Sequence, residues 1–304
     1  MTLRRILFPV LLSAALSVGV LGGTASAATY DFSVSYAAPA LTARVGVSNL
    51  NLGGNRLAFS VSNRAATIGL RRNLPLTALG TLQLGLNVAG VYAGQTGIRL
   101  GADASGSLGP VALNVAGSAW NAPAAAQDPL SVWNQVALPT SSSGAQLDAS
   151  ARYRLSRDVI VSLGGELGLQ SSAVLSGEYR LSPSWSARLG ARGGVGVLGA
   201  VAGVTYRADA LTLSADALLG RESGVTLSLD APALIALNAE RAVDLSAYLA
   251  YEPWRTAALP LRYGLDAQVP IGPADTGALN VGLRGGNGGL GLRVGYTFTP
   301  GGGE

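Results

Sequence analysis

The side chains of this sequence that could do chemistry are arginines and carboxylates. All 21 basic residues are arginine, 17 residues are Asp or Glu, and the 304-residue chain contains no Cys and no His. Zinc fingers, His-ligated haem, Ser-His-Asp triads, Cys nucleophiles and disulfides are therefore excluded. Carboxylates such as Asp148 and Glu166 leave a catalytic pair conceivable, but no nucleophile or binding pocket accompanies them. We expect no enzyme activity, no metal site and no cofactor.

Most of these charged side chains occupy every second position of an otherwise apolar segment. Within residues 146–155, for example, Leu147 and Ala149 alternate with Asp148 and Arg152. Strict alternation predicts β-strands with one apolar and one polar face. If the polar face lines an aqueous interior, its mixed charges would shape the passage of small solutes. The candidate lining residues are Arg99, Asp103, Asp148, Arg152, Arg154, Glu166, Glu178, Arg180, Arg188, Arg192, Asp216, Arg262, Asp266, Arg284 and Arg293.

About 18 such segments follow one another, with turn signals such as Leu108-Gly109-Pro110 between them and no shift of composition that marks a second domain. Two stretches interrupt the pattern. Trp120–Ser143 is rich in Ala, Pro and Ser and is predicted to be one large loop. It is either an exposed lid or an inward constriction, with Asp128 as its only charge. The ambiguous stretch Ala231–Val243 is predicted to be a turn.

The N-terminus has the pattern of a secretory signal peptide. Arg4 and Arg5 precede the apolar run Ile6–Leu21, and Ala25-Ser26-Ala27 supplies small residues for cleavage. We therefore assign residues 1–27 to a signal peptide. Removing two of the 21 arginines leaves 19 against 17 acidic residues, so the net charge falls from +4 to +2. A charge this small, spread along the chain, argues against a nucleic-acid partner.

A short repeat marks the ends of several segments. Tyr153-Arg154-Leu155-Ser156, Tyr179-Arg180-Leu181-Ser182 and Tyr206-Arg207-Ala208-Asp209 recur at intervals of 26 and 27 residues. This interval fits one hairpin of two strands, so each Tyr returns to the same end and face of a sheet. Aromatic residues at segment ends are predicted to form girdles at a membrane interface, namely Trp185, Tyr206, Tyr251 and Trp254.

The apolar faces of so many strands must be shielded from water, either by a second sheet or by lipid. A soluble two-sheet protein would need a charged exterior, yet only 12% of the residues are charged, against about 25% in ordinary soluble domains. The second face of the segments carries mainly small polar residues. Lipid would cover the apolar face of a closed barrel, and closure leaves no unpaired strand edge. The sequence therefore predicts an all-β fold, a single closed antiparallel transmembrane β-barrel of 16–18 strands over residues 28–298, with a tail at 299–304.

The C-terminal segment carries the most specific pattern. Leu290, Leu292, Val294, Tyr296 and Phe298 alternate with small or polar residues. This segment resembles the closing strand of bacterial outer-membrane β-barrels, although six residues follow the last aromatic. The resemblance implies location in the outer membrane, contact with its lipid, and insertion by the barrel-assembly machinery.

An even strand number places both termini on the periplasmic side, where turns are short. Eighteen strands put the turns at Leu108, Ser156, Ser182 and Asp209 on that side, and the large loop on the other side. If Pro183 centres its hairpin, Glu178 and Arg188 lie opposite each other and are predicted to form an ion pair.

The function predicted from these features is a porin-like passive channel for small hydrophilic solutes or ions. Two alternatives stay open. One is a structural outer-membrane barrel without an open pore, and the other is a secreted soluble all-β protein.

Overall fold

The computed structural model describes residues 28–76, 80–136, 140–237, 241–271 and 276–300. In these ranges the chain is almost entirely β-structure, with one short α-helix and one 3-10 helix. No helix of the described residues is long and apolar enough to cross a membrane. The predicted signal peptide and residues 301–304 of the predicted tail lie outside the described residues.

Eighteen strands carry the fold, and their bounds follow the alternating segments of the sequence. The first nine are β1 (Thr29–Ala37), β2 (Ala40–Leu52), β3 (Asn55–Ser62), β4 (Ala65–Leu76), β5 (Gly80–Val91), β6 (Gly97–Leu108), β7 (Val111–Trp120), β8 (Gly144–Arg154) and β9 (Val159–Leu167). The last nine are β10 (Ser172–Arg180), β11 (Trp185–Gly194), β12 (Val197–Ala208), β13 (Leu211–Gly220), β14 (Gly224–Ala236), β15 (Ala242–Tyr251), β16 (Leu261–Ile271), β17 (Gly277–Gly286) and β18 (Gly289–Phe298).

The sheet closes on itself. Each strand pairs antiparallel with the next one, and β1 also pairs with β18, where Tyr30 lies opposite Phe298. No strand edge is left unpaired, which removes the usual site of edge-to-edge association. The predicted single closed antiparallel barrel is confirmed, with 18 strands.

The stretch Ala231–Val243, predicted to be a turn, is mostly strand. β14 continues to Ala236 and β15 begins at Ala242, so five residues separate the two strands along the chain. Their register shifts between Ala231 and Ile235, a bulge that breaks the alternation along the sequence. The irregular pattern therefore marks a bulged hairpin, and it adds no strand to the count.

The two ends of the barrel differ. At the end that carries Thr29 and Phe298, here called the terminal end, the connections are short, as between β6 and β7 or between β12 and β13. At the opposite end, here called the loop end, lie the 121–143 connection between β7 and β8 and the 252–260 connection between β15 and β16. The predicted placement of both termini and the short turns at one end, and of the large loop at the other, is confirmed.

Alternation gives the wall two different faces. In β11, the outward Leu189 is 71% exposed, while its neighbour Arg188 faces the lumen and pairs with another luminal charge. Among the described strand residues, Arg72 is the one charged side chain on the outer face. The outer wall is thus a leucine-, valine- and alanine-rich surface, and the charged and small polar residues collect inside.

Candidate functional site

The large loop between β7 and β8 turns inward and follows the inner wall. The Nε of Arg64 donates to the carbonyl of Ala126 at 2.9 Å, beside the start of β4. Two residues on, Asp128 Oδ2 accepts from Arg293 Nη2 of β18 at 2.6 Å. Arg293 faces the lumen from β18, seven strands around the barrel from β7, so the loop reaches it by entering the lumen.

The middle of this loop folds locally and packs against β18. It contains an α-helix, α1 (Ala124–Gln127), and a 3-10 helix (Pro129–Trp133). Asp128 starts the second helix by accepting a hydrogen bond from the amide of Leu130 at 3.2 Å. Leu130 and Trp133 are buried. Gly291 makes room for Leu130, because a Cβ there would lie 2.1 Å from a methyl carbon of Leu130.

A second loop, residues 252–260 between β15 and β16, also enters the lumen. Arg255 Nη1 lies 2.8 Å from Glu166 Oε2 of β9, and Arg192 of β11 lies 3.2 Å from the other oxygen of the same carboxylate. The ring of Trp254 sits between these arginines, at 4.6 Å from the Arg255 guanidinium and 4.8 Å from that of Arg192. Trp254 was predicted to join an interfacial girdle, and that prediction is wrong because cation–π contacts hold its ring inside.

Arg262 of β16 joins the two loops. Its side chain is 0% exposed. Its guanidinium donates to the carbonyl of Asn134 at 3.2 Å in the first loop and to Thr256 Oγ1 at 3.0 Å in the second. It also pairs with the carboxylate of Glu252. Arg262 was predicted to line the pore, but it is a buried brace between loops instead.

These contacts show where the large loop between β7 and β8 lies. The chain of ion pairs and hydrogen bonds runs from Glu166 on β9 through the two loops to Arg293 on β18. In an 18-strand barrel, β9 and β18 lie on opposite sides. Of the two alternatives for the loop, lid or inward constriction, the structure shows the inward one.

The remaining predicted lining residues lie on the polar face of their strands, but their partners differ from simple pairing. Glu178 lies opposite Arg188, as the hairpin predicted. The predicted ion pair between these two residues is nevertheless not formed. Glu178 lies 3.5 Å from Arg152 and 3.8 Å from Arg207, whereas Arg188 lies 3.1 Å from Asp216.

A glycine explains why Arg188 pairs with Asp216 and not with Glu178. Gly203 lies in register between Arg188 and Asp216, on the strand that separates them. A Cβ at Gly203 would lie 2.0 Å from Asp216 Oδ1. The missing side chain lets two charged groups meet across an intervening strand, so the nearest cross-strand neighbour is not the partner.

Several other predicted lining residues are tied to the wall or to turns. Arg284 pairs with Asp266 at 2.6 Å, and Arg99 donates to the carbonyl of Ala122 at 2.7 Å. The repeated arginines cap their own turns: Arg154 donates to the carbonyl three residues on at 3.2 Å, and Arg180 does the same at 3.3 Å. The tyrosines of the repeat point outward at the terminal end, where Tyr206 packs at 4.8 Å against Trp185.

The same alternation that marks the predicted lining residues also marks lumen-facing charges outside that predicted set. They lie on β1–β4, β12, β14 and β15 and comprise Asp31, Arg44, Arg56, Arg71, Arg207, Asp230 and Asp244. The two luminal loops were harder to detect, because their contacts depend on residues far away in the sequence. The one local indication of the second loop was the run Glu252-Pro253-Trp254-Arg255, which places two charges and an aromatic side chain within four residues.

Recesses line the inner wall of the described barrel. One recess has a volume of about 520 Å³ and lies along β8–β14 under Trp254, with Arg152, Glu178 and Asp216 on its surface. A second recess of 390 Å³ lies along β1–β6, and a third of 370 Å³ lies along β14–β18. Within the described ranges, no group of three or more acidic residues stands close enough together to hold a metal ion.

One titrating side chain lies in a connection at the loop end. Tyr92, between β5 and β6, donates its hydroxyl to the carbonyl of Ser62. Burial raises the pKa of the Tyr92 hydroxyl above its ordinary value. The group therefore stays protonated as a hydrogen-bond donor, and it ties the β5–β6 connection to the end of β3.

Together, the closed sheet, the apolar outer wall and the charged lumen narrowed by loops define a transmembrane β-barrel with a polar interior. No family model matches the chain, and no curated protein matches it. Among solved structures it is similar to a fivefold mutant of Rh. blastica porin, at 15% identity and a TM-score of 0.46, covering 90% of this chain and 98% of that one. A structure described as "Asymmetric conductivity of engineered proteins" gives the same values. The class assigned here rests on the register and the two faces of the wall.

Proposed function

We propose that the protein is a porin-like passive channel of the bacterial outer membrane for small hydrophilic solutes or ions. The observation that carries this proposal is the division of one closed wall into two faces. An apolar outer face suits lipid, and a lumen of charged and small polar residues suits water. Barrels of 16–18 strands enclose an aqueous lumen, so diffusion through it needs no moving part or cofactor.

The inward loops support a size limit on the solutes. Residues 124–135 and 252–260 occupy the lumen at the loop end and are held there by Arg293, Glu166 and Arg262. Of the fifteen predicted lining residues, we propose that those other than Arg262 face the solute pathway. The mixed charges along this pathway would select among small solutes.

Export and assembly belong to the same proposal. A signal peptide at residues 1–27 would direct the chain across the inner membrane, and the alternating β18 segment ending in Phe298 would present it to the barrel-assembly machinery. The terminal end would then face the periplasm. The short connections and aromatic residues of that end support this orientation.

Liposome swelling tests the proposal. Mature protein refolded in detergent and reconstituted into liposomes is expected to admit a pentose or hexose faster than a trisaccharide. Boiled protein is the matched control. If folded, membrane-inserted protein admits no sugar, the barrel is structural and the channel proposal is wrong. If the mature protein is recovered in the soluble periplasmic fraction, the membrane assignment itself is wrong.

A further inference from the structure

Two arginines in the lumen stand apart from all the other charges of the wall. Arg56 of β3 and Arg71 of β4 lie directly opposite each other in the register. In the described residues, neither forms an ion pair or a side-chain hydrogen bond. The other lumen-facing arginines of the described strands each have a carboxylate, carbonyl or hydroxyl partner. Like charges placed directly opposite each other destabilise a sheet. The repulsion between these two arginines is therefore not offset by a bonded acidic partner in the described residues.

The wall beside the pair is shaped as a recess. Both arginines line the 390 Å³ recess along β1–β6, together with the amide side chains of Asn49 and Gln83. A bulge in β2, between Val47 and Leu50, interrupts the alternation there. Ser48 and Asn49, at this bulge, both line the recess. The Asn49 amide donates to Thr29 Oγ1 at 3.3 Å and the Gln83 amide donates to Asn73 Oδ1 at 3.3 Å. Their donors therefore have partners, and the two guanidinium groups supply the unpaired donors of the recess.

The acidic residues of the recess do not neutralise it. Asp31 is 3.8 Å from Arg44 and so already has a partner. Asp103 leans over Gly85, where a Cβ would lie 2.3 Å from its Oδ1. Gly85 separates Arg71 from Asp103 in the register, yet these two do not pair within 4 Å. Two unpaired positive charges thus face one unpaired negative charge.

We propose that Arg56 and Arg71 form a binding site for the oxyanion group, carboxylate or phosphate, of a solute passing through the lumen. Opposed residues on neighbouring antiparallel strands have Cβ atoms about 4.5–5.5 Å apart, so two guanidinium forks can hold one such group between them. Guanidinium groups bind carboxylate and phosphate oxygens with paired, charge-assisted hydrogen bonds. The site deepens the proposed function, on which it rests for solute access, by naming anionic solutes as its substrates.

Equilibrium binding tests the site without relying on conductance. The probe is inorganic phosphate, titrated by calorimetry into the full mature chain folded in detergent, with chloride as the background ion. The wild type is expected to bind phosphate saturably. The double variant Arg56→Gln with Arg71→Gln should bind about tenfold more weakly or worse, because two charge-assisted contacts are lost. A matched double variant, Arg72→Gln with Arg157→Gln, removes the same charge at the same end but outside the lumen wall, because Arg72 faces outward and Arg157 lies in the β8–β9 connection. This variant should stay within about twofold of the wild type.

A third variant distinguishes an anion-binding site from an Arg71–Asp103 ion pair that has simply not formed. Asp103→Asn removes the carboxylate that competes for Arg71, so phosphate should bind more tightly than to the wild type. Unchanged or weaker binding by this variant contradicts the proposal, as does equal binding by the wild type and the Arg56/Arg71 double variant. A wild type that binds no phosphate also overturns it. If the double variant does not fold, the single variants Arg56→Gln and Arg71→Gln must each weaken binding.

The two proposals fail in different ways. A folded barrel that binds phosphate but passes no current keeps the site and removes the channel. A barrel that conducts but binds no phosphate keeps the channel and removes the site.

Discussion

Arg262 holds its charge where no part of its side chain reaches solvent. Burying a guanidinium is tolerable only when its donors find partners. Here they find backbone carbonyls of Asn134 and Gln135 in one loop and Thr256 and Glu252 in the other. Arg262 therefore links two loops that no strand or helix joins. Its role is to hold these loops in place, and it does not select solutes.

We predict that Arg262→Gln lowers the free energy of unfolding by about 3–5 kcal/mol, because it leaves Glu252 and several carbonyls without their partner. The two loops should also become mobile, which would add noise to any open-channel current. Urea unfolding of the protein folded in detergent measures the loss. Arg152→Gln is the control, since Arg152 is half-exposed and its ion pair at 3.5 Å should contribute about 1 kcal/mol or less. Equal losses in the two variants would contradict the bracing role of Arg262.

At the scale of the strand, alternation decides which substitution the fold tolerates. Leu189 and Ser176 lie at the middle of the neighbouring strands β11 and β10 and point to opposite faces of the wall. The difference between these positions is visible in the sequence, because period two separates the faces without any knowledge of the closed barrel. The two faces of each strand and a count of 16–18 strands were accordingly predictable, while the bulge at Ala231–Ile235 was not, since an extra residue breaks the period locally.

We predict that Leu189→Arg destabilises the membrane-inserted barrel by about 2–4 kcal/mol, the cost of a charge on the lipid face near mid-bilayer. Ser176→Arg adds the same side chain to the 520 Å³ recess of the lumen and should be nearly neutral. Unfolding in lipid vesicles followed by Trp fluorescence compares the two. A larger loss from the luminal substitution would mean that the faces are assigned the wrong way round.

The loops show where prediction from the sequence ends. The Asp128–Arg293 contact joins residues 165 positions apart. It exists only because the barrel closes and brings β18 within reach of a loop from β7. A lone acidic residue in an Ala- and Pro-rich stretch gives no local sign of this, and the same holds for Trp254 between Arg192 and Arg255.

We predict that replacing residues 123–135 with a short Gly/Ser linker widens the pathway at the loop end. Single-channel conductance should rise and trisaccharides should enter liposomes that exclude them with the wild type. A Gly/Ser insertion in the Asp209–Ala210 turn at the terminal end is the control and should change neither readout. Unaltered conductance after the loop replacement would show that the loop does not limit the passage.

Across the whole molecule, composition and architecture share one cause. Because the outer wall faces lipid, it needs few charged residues. The strands carry small residues next to the luminal arginines, and this leaves room for the polar side chains inside the barrel. This accounts for 42 glycines and only 12% charged residues in 304. The arginines and carboxylates that first suggested binding chemistry are distributed around the inner wall, and most are paired there.

The central claim is that this lumen conducts, and single-channel recording in planar bilayers tests it most directly. Refolded wild-type protein is expected to produce stepwise currents of uniform size, and a salt gradient should shift the reversal potential toward anions, because of the net positive charge of the mature chain. Protein that is folded and inserted yet gives no current steps would contradict the account.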